Sequence, residues 1–266
     1  MNGISLLVVG ADEHYMRSVA AKALDRKLID EAKFAEPDMD SFANAMKFVD
    51  KNNLIIAKGM VETADFLRLI LKYNDKGLIV GGKDGFLSHC AILIKKRKWL
   101  FAREKPIILT DAALNIAPDA AEKVKIAKNA IDLARRALGL KRPVLAILTA
   151  AGKYNPAIKS SVDGQYVIDN LGGENAELRL DQVDTAIDAA SRRVKNLNGG
   201  TADILLSDSI ESGQMGYKFC TKKAGYEAIG FLCGAIVPIV VTSRGDSARS
   251  KLLSIKYAAK MIRQQR

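Results

Sequence analysis

The residues with most chemistry to offer are Ser243, Arg244 and Asp246, in the polar loop Ser243-Arg244-Gly245-Asp246-Ser247 that joins an apolar β-branched run to an amphipathic helix. Ala235 to Val241 reads as a buried strand, and beyond the loop Leu252, Ile255, Ala259 and Ile262 recur at helical spacing, with Lys251, Lys256, Lys260 and Arg263 expected elsewhere on the surface. Ser243 and Arg244 therefore stand just ahead of a helix N-terminus, where unpaired N–H groups and the positive end of the dipole favour a phosphate. The guanidinium supplies a planar donor fork for phosphate oxygens. Asp246 admits two readings, an acid/base group or, like Ser247, an N-cap.

Other polar residues fall at the ends of strand-like runs. Lys58 closes Leu54 to Ala57, so its ammonium needs a polar surrounding or an acidic partner. Thr110, Asp111 and Asn115 follow Pro106 to Thr110 at a strand C-terminus, the usual mouth of an α/β site. His89 begins Cys90 to Ile94 and reads either as a structural histidine or as an acid/base group. Gly81-Gly82-Lys83-Asp84-Gly85 lacks the spacing of a phosphate loop and reads as a turn.

The elements that position these residues alternate. Strands are expected at Ile4 to Val9, Leu54 to Ala57, Cys90 to Ile94, Pro106 to Thr110, Val144 to Thr149, Ile204 to Leu206 and Ala235 to Val241. Helices are expected at Glu13 to Leu28, Ser41 to Lys51, Thr63 to Tyr73, Asp119 to Leu138, Gln182 to Val194 and Gln214 to Lys223. This is an α/β pattern. A boundary is expected at Gly139-Leu140-Lys141-Arg142-Pro143 and a second near Gly234, giving a discontinuous α/β domain of residues 1–139 and 235–266 with residues 140–234 inserted.

Composition narrows the function classes. The 266 residues are 48% hydrophobic, enough for a sizeable core, and the longest apolar stretch, Ala228 to Thr242, is short for a membrane span and broken by Gly230, Gly234 and Pro238. Met1 to Gly10 lacks a basic start and leads into Asp12 and Glu13, so no secretory signal is expected. Cys90, Cys220 and Cys233 form no close pair and only two histidines, His14 and His89, are present, so neither a disulfide framework nor a metal site is expected and a reducing cytoplasm is the default. The net charge of +11 suits nucleic acid, an acidic membrane or a polyanionic small molecule. The charge alone does not choose among them; 6% aromatic residues and no recognisable nucleic-acid motif count against the first. Lys95-Lys96-Arg97-Lys98 reads as a solvated turn, and the six basic and no acidic residues of 249–266 point mildly to an anionic ligand.

Several segments together resemble the phosphate acetyl/butyryltransferase family. They are Ala57-Lys58-Gly59, Thr63-Ala64-Asp65-Phe66-Leu67-Arg68, Leu87-Ser88-His89, the run Leu109 to Pro118, Tyr154-Asn155-Pro156, Ala202 to Leu206, Glu211-Ser212-Gly213 with Tyr217-Lys218, and Pro238 to Arg244. The butyryl-type branch looks closer. The resemblance implies two αβα domains around a cleft, in the fold of isocitrate and isopropylmalate dehydrogenases, paired as a homodimer or higher oligomer. It implies transfer of an acyl group between phosphate and coenzyme A, which is a substrate, with no permanently bound cofactor, no metal, and no membrane or nucleic-acid partner. Arg244 and Ser243 match the family's active-site pair, as phosphate clamp and oxyanion donor, and Arg68 matches a second arginine. Lys58, Thr63, Ser88, His89, Asp111, Asn115, Tyr217 and Lys218 are the implied substrate-binding positions.

There are departures. Asn175-Ala176-Glu177 stands where the family has Asp-Gly-Pro, Gln214 where it has Asn, and Ser250 near the position of the acetyl branch's catalytic aspartate, leaving Asp246 as the alternative base. The altered segment keeps open a homologue that binds coenzyme A or acyl-coenzyme A without turnover. The acetyl-specific activity and a decarboxylating dehydrogenase of similar fold are further alternatives; the last needs metal-binding aspartates and a nicotinamide site that the sequence does not offer.

Overall fold

A computed structural model describes residues 3–10, 14–82, 85–95, 105–182 and 202–264. Of the expected helix Gln182 to Val194 only Gln182 is described, and it ends a strand rather than opening a helix; the rest of it, the basic run after Lys95, and Lys83 and Asp84 of the glycine-rich turn lie outside the described residues. The chain forms two compact units, one of Met1–Leu87 with Ile229–Arg266, the other of Ser88–Ala228. These bounds differ from those expected at Gly139 and Gly234.

In the first unit β1 (Ser5–Val9), β2 (Glu31–Ala35) and β3 (Leu54–Lys58) pair in parallel in the order β2-β1-β3. β10 (Ile239–Val240) then lies parallel to β3 and antiparallel to β9 (Tyr226–Cys233), the strand on which the chain returns to this unit. Both β1 and β3 are buried along their whole length, as the continuous apolar runs of a strand covered on two faces require. The helices are α1 (Tyr15–Asp25), α2 (Met39–Lys47), α3 (Thr63–Lys72) and α7 (Ala248–Arg263). Ala235 to Val241, expected as one strand, is strand only at Ile239–Val240, because Pro238 has no N–H to give the ladder.

In the second unit β4 (Ser88–Lys95) runs antiparallel to β5 (Ile107–Thr110), and β8 (Ile204–Leu206), β6 (Val144–Thr149) and β7 (Glu177–Gln182) follow in parallel. Its helices are α4 (Ala120–Leu133, continued as a π-turn to Leu138), α5 (Lys159–Asn170) and α6 (Ile210–Lys222). The β4–β5 pair and α4 belong here rather than before Gly139, since β5 hydrogen-bonds β8 and α4 packs on α5. Lys123 of α4 is buried, pairing with Asp163 of α5 at 2.8 Å and with Asp208 at 2.5 Å. Burial pushes the Asp163 carboxyl up, but hydrogen bonds from Lys123 and Lys159 outweigh it and hold it below the usual range.

β2, β7, β9 and α5 have no counterpart among the expected elements. β2 (EAKFA) carries two charges in five residues and mostly half-exposed side chains, so it lacks the apolar run that marks its neighbours.

Candidate active site

Two groups of polar residues form, one in each unit. In the first unit the end of β3, the start of α3, the loop after β10 and the start of α7 converge. Ser247, not Asp246, caps α7: its side chain accepts from the Ser250 N–H, and the two hydroxyls lie 3.0 Å apart. The Asp246 carboxylate instead accepts from the Ser243 N–H at 2.7 Å, closing the loop on itself, while the Tyr15 hydroxyl donates to the Asp246 carbonyl at 2.8 Å. Asp246 is thereby held within one short turn of Ser243. Ser243 and Arg244 are exposed, and the guanidinium pairs with Glu62 at 2.8 Å, at the N-terminus of α3 just before Thr63.

Beneath the loop lie two lysines. Lys58 is 1% exposed, with Nζ 3.4 Å from the Gly59 carbonyl and 3.5 Å from that of Thr242, long contacts for an ammonium. Burial, with Lys251 and Arg244 nearby, lowers its pKa from 10.5 to about 8, against the opposing pull of Glu62 and Asp246. Its surroundings are thus backbone carbonyls with charges of both signs beyond. Lys251, expected on the surface, is also 1% exposed; it donates to the Thr242 hydroxyl at 3.3 Å and the Ser243 carbonyl at 3.1 Å, and lies 5.4 Å from the Tyr15 ring centroid. Helical spacing put Lys251 off the apolar stripe. It did not show that the strand-to-helix loop folds back over that side and supplies acceptors for a buried ammonium. Arg68 is exposed on α3 and pairs with Asp65 of its own helix at 2.6 Å, so it does not join the Arg244–Glu62 pair.

In the second unit Asp111 is the hub. It is 2% exposed, and its two oxygens accept from the N–H groups of Ala113 and Leu114, each at 2.9 Å, from the His89 N–H at 3.0 Å and from the Asn115 amide at 2.7 Å. Four donors fill a carboxylate's acceptor sites, so Asp111 shapes the turn after β5 and orients Asn115. His89 is buried, and its carbonyl accepts from the Thr110 hydroxyl at 3.0 Å. Ser88 is buried and its hydroxyl accepts from the Asn129 amide at 3.0 Å. Ser207, unremarked in the sequence, donates to the Asp111 carbonyl at 2.8 Å. Gly213 brings α6 against the same carbonyl: a Cβ there would sit 2.1 Å from the Asp111 oxygen. Tyr217 packs half-buried against the core around Leu109 and Ala112, and the Lys218 ammonium lies 5.6 Å from the Tyr217 ring centroid.

Burial raises the Cys220 thiol pKa, and Cys90 and Cys233 are buried with no disulfide, the Cys90 thiol donating to the Thr110 hydroxyl at 3.4 Å. Among the described residues no helix is long and apolar enough to cross a membrane, and no three His, Cys, Asp or Glu side chains cluster as metal ligands would. The arrangement in the first unit suits an anion: a presented guanidinium, two ammonium groups below it, and two helix N-termini.

A family model for phosphate acetyl/butaryl transferase matches residues 8–259. The chain belongs to the phosphate acetyl/butyryltransferase family. Its relatives include the phosphate butyryltransferase of Clostridium acetobutylicum, 30% identical over 97% of this chain and 85% of that protein. The phosphate acetyltransferase of Rhizobium meliloti is 39% identical over 58% of this chain and 50% of its own length. Among solved structures, a branched-chain phosphotransacylase from Enterococcus faecalis V583 superposes with a TM-score of 0.78 at 26% identity, covering 97% of this chain and 99% of that one. A β-decarboxylating dehydrogenase from Thermococcus kodakarensis shares the fold alone, with a TM-score of 0.54 at 14% identity over 91% of this chain and 76% of its own. The chain is thus a phosphate acyltransferase family member with the α/β fold of these dehydrogenases.

Proposed function

We propose that the protein transfers a short acyl group, butyryl or branched-chain, reversibly between phosphate and coenzyme A. The thiol sulfur attacks the acyl carbon of the acyl phosphate, a C–S bond forms, the C–O bond to phosphate breaks, and phosphate leaves with the electron pair while the thiol proton passes to a base or to solvent. The observation that carries this reading is the Ser243–Ser247 loop, which holds Arg244 outward above Lys58 and Lys251. Arg244 is the proposed phosphate clamp and Ser243 the oxyanion donor. Glu62 keeps the guanidinium placed until a phosphate displaces it. Asp246 is one proposed proton acceptor; the other route is thiolate already present in solution. Lys58, Thr63 and Arg68 in the first unit and Ser88, His89, Asn115, Tyr217 and Lys218 in the second are proposed to bind or frame substrates, with Asp111 positioning Asn115.

The butyryl or branched-chain preference is supported by the relatives of that activity that cover nearly the whole chain. A homodimer or higher homo-oligomer in the cytoplasm completes the reading; exposed Met215 and Phe219, one turn apart on α6, support the first part and three free thiols the second. A second reading, a homologue that binds coenzyme A or acyl-coenzyme A without turnover, rests on the departure at Asn175-Ala176-Glu177. That segment lies at the entry to β7, where the Asn175 amide donates to the Lys141 carbonyl and Arg135 donates to the Asn175 carbonyl, so the substituted residues are built into the unit.

Coenzyme A and butyryl phosphate mixed with the protein should give a rise in thioester absorbance, with acetyl and isobutyryl phosphate as comparisons. Arg244→Ala should lower turnover by about a hundredfold or more with an unchanged melting curve. Arg244→Lys should stay impaired, since an ammonium lacks the bidentate fork. Near-normal turnover in Arg244→Ala sinks the assignment. Binding of coenzyme A with no thioester from any of the three acyl phosphates would favour the inactive homologue.

A further inference from the structure

The carbonyl oxygens of the Ser243–Ser247 loop matter to an anion as much as its donors do, because an oxygen turned toward a phosphate repels it. Two of these oxygens are engaged elsewhere. The Ser243 carbonyl accepts from the Lys251 ammonium and from the Asp246 N–H, each at 3.1 Å, and the Asp246 carbonyl accepts from the Tyr15 hydroxyl at 2.8 Å. Lys251 is buried and Tyr15 half-buried, so both oxygens face the body of the unit while Ser243 and Arg244 stay exposed.

The two donors form one assembly. The Lys251 ammonium lies 5.4 Å from the Tyr15 ring centroid, a cation–π distance, and also reaches the Thr242 hydroxyl at 3.3 Å. Tyr15 opens α1, Lys251 stands in the first turn of α7, and these two helices pack on each other. The position is a poor one for a cation: the dipole of α7 opposes it, no acidic residue stands in that turn, and burial adds the loss of hydration. An apolar side chain of similar length would fill the space with neither penalty. What it would not do is hold the loop's carbonyl inward.

We propose that Lys251 and Tyr15 are positioning residues for acyl transfer, together fixing the Ser243–Asp246 loop with its carbonyls inward and Ser243 and Arg244 outward. This rests on the reading of that loop as the phosphate and oxyanion site. Both act through the peptide groups of Ser243 and Asp246, at a remove from the reacting atoms.

Tyr15→Phe deletes one hydroxyl and keeps the ring, Lys251→Met deletes the ammonium and keeps the length, and the two combined complete a double-mutant cycle. Each single change should raise both the KM for the acyl phosphate and the calorimetric Kd for inorganic phosphate by about three- to tenfold, the scale of one orienting hydrogen bond. The KM for coenzyme A should hold. The double variant should fall short of the product of the singles, since both act on one loop. A merely structural role would shrink the folded, active fraction and so lower turnover, moving neither KM nor the phosphate Kd. If Lys251→Met does not fold, Tyr15→Phe decides. Unaltered acyl-phosphate KM and phosphate affinity in Tyr15→Phe, with Arg244→Ala impaired, overturn the proposal alone, and effects that multiply in the double variant overturn the joint action. Near-normal turnover in Arg244→Ala overturns the underlying reading of the loop, and the proposal with it.

Discussion

Asp246 and Lys58 stand on either side of the same question, where the thiol proton goes. The Asp246 carboxylate already accepts one N–H, from Ser243, and Asp246→Asn retains an oxygen for that bond. The variant therefore keeps the loop and removes the base. If Asp246 takes the proton, turnover should fall by roughly a hundredfold and recover partly at high pH; full turnover with an intact melting curve leaves the thiolate route. Lys58 makes a different prediction. In the folded chain it loses its proton near pH 8, whereas an unfolded chain holds it to about 10.5, so the unfolded state binds more protons across that window and this residue makes stability rise with pH there. A phosphate at the loop offsets the repulsion from Lys251 and Arg244, the smaller causes beside burial, and so raises the Lys58 pKa part of the way back. Phosphate binding just above pH 8 should then take up a fraction of a proton, read as a dependence of the calorimetric heat on the buffer's ionisation enthalpy. Lys58→Met should abolish the dependence; equal heats in all buffers with the wild-type chain would refute it.

Among the elements, α6 shows why some of the site was legible in the sequence and some was not. Its motif, Glu211-Ser212-Gly213 with Tyr217-Lys218, stands out by resemblance, but the reason for the glycine lies in the approach of the helix to β5, which no local spacing reveals. Gly213→Ala should cost about 1–3 kcal/mol or more, since the clashing atoms are a backbone carbonyl and the Ser207 hydroxyl, 2.1 and 2.9 Å from the new Cβ. A denaturant midpoint unchanged from wild type would remove that account. The Ser243 loop was readable because strand, polar turn and amphipathic helix follow one another in sequence. Lys251 and Glu62 were not, since each acquires its role from a partner that folding brings to it. β2 and α5 escaped for a simpler reason: half-exposed or Gly- and Ser-containing segments carry a weak periodic signal, and their neighbours determine their conformation.

For the whole molecule, a net charge of +11 invites the expectation of nucleic-acid binding. The placement of the cations argues otherwise, because Lys58, Lys123 and Lys251 are buried and Arg244 and Arg135 are paired with Glu62 and Glu174. Fluorescence anisotropy with duplex DNA should show weak binding that falls steeply as salt is raised to physiological strength; tight binding at that salt would reverse the choice of partner. The discontinuity of the first unit has a consequence for synthesis on the ribosome. Residues 88–228 are contiguous and complete a compact unit while the chain is still being made, whereas the slot between β3 and β9 stays open until Ile239 and Val240 emerge. Until then the nascent chain presents the apolar strand Leu54–Lys58 with one hydrogen-bonding edge bare, the kind of surface that chaperones cover.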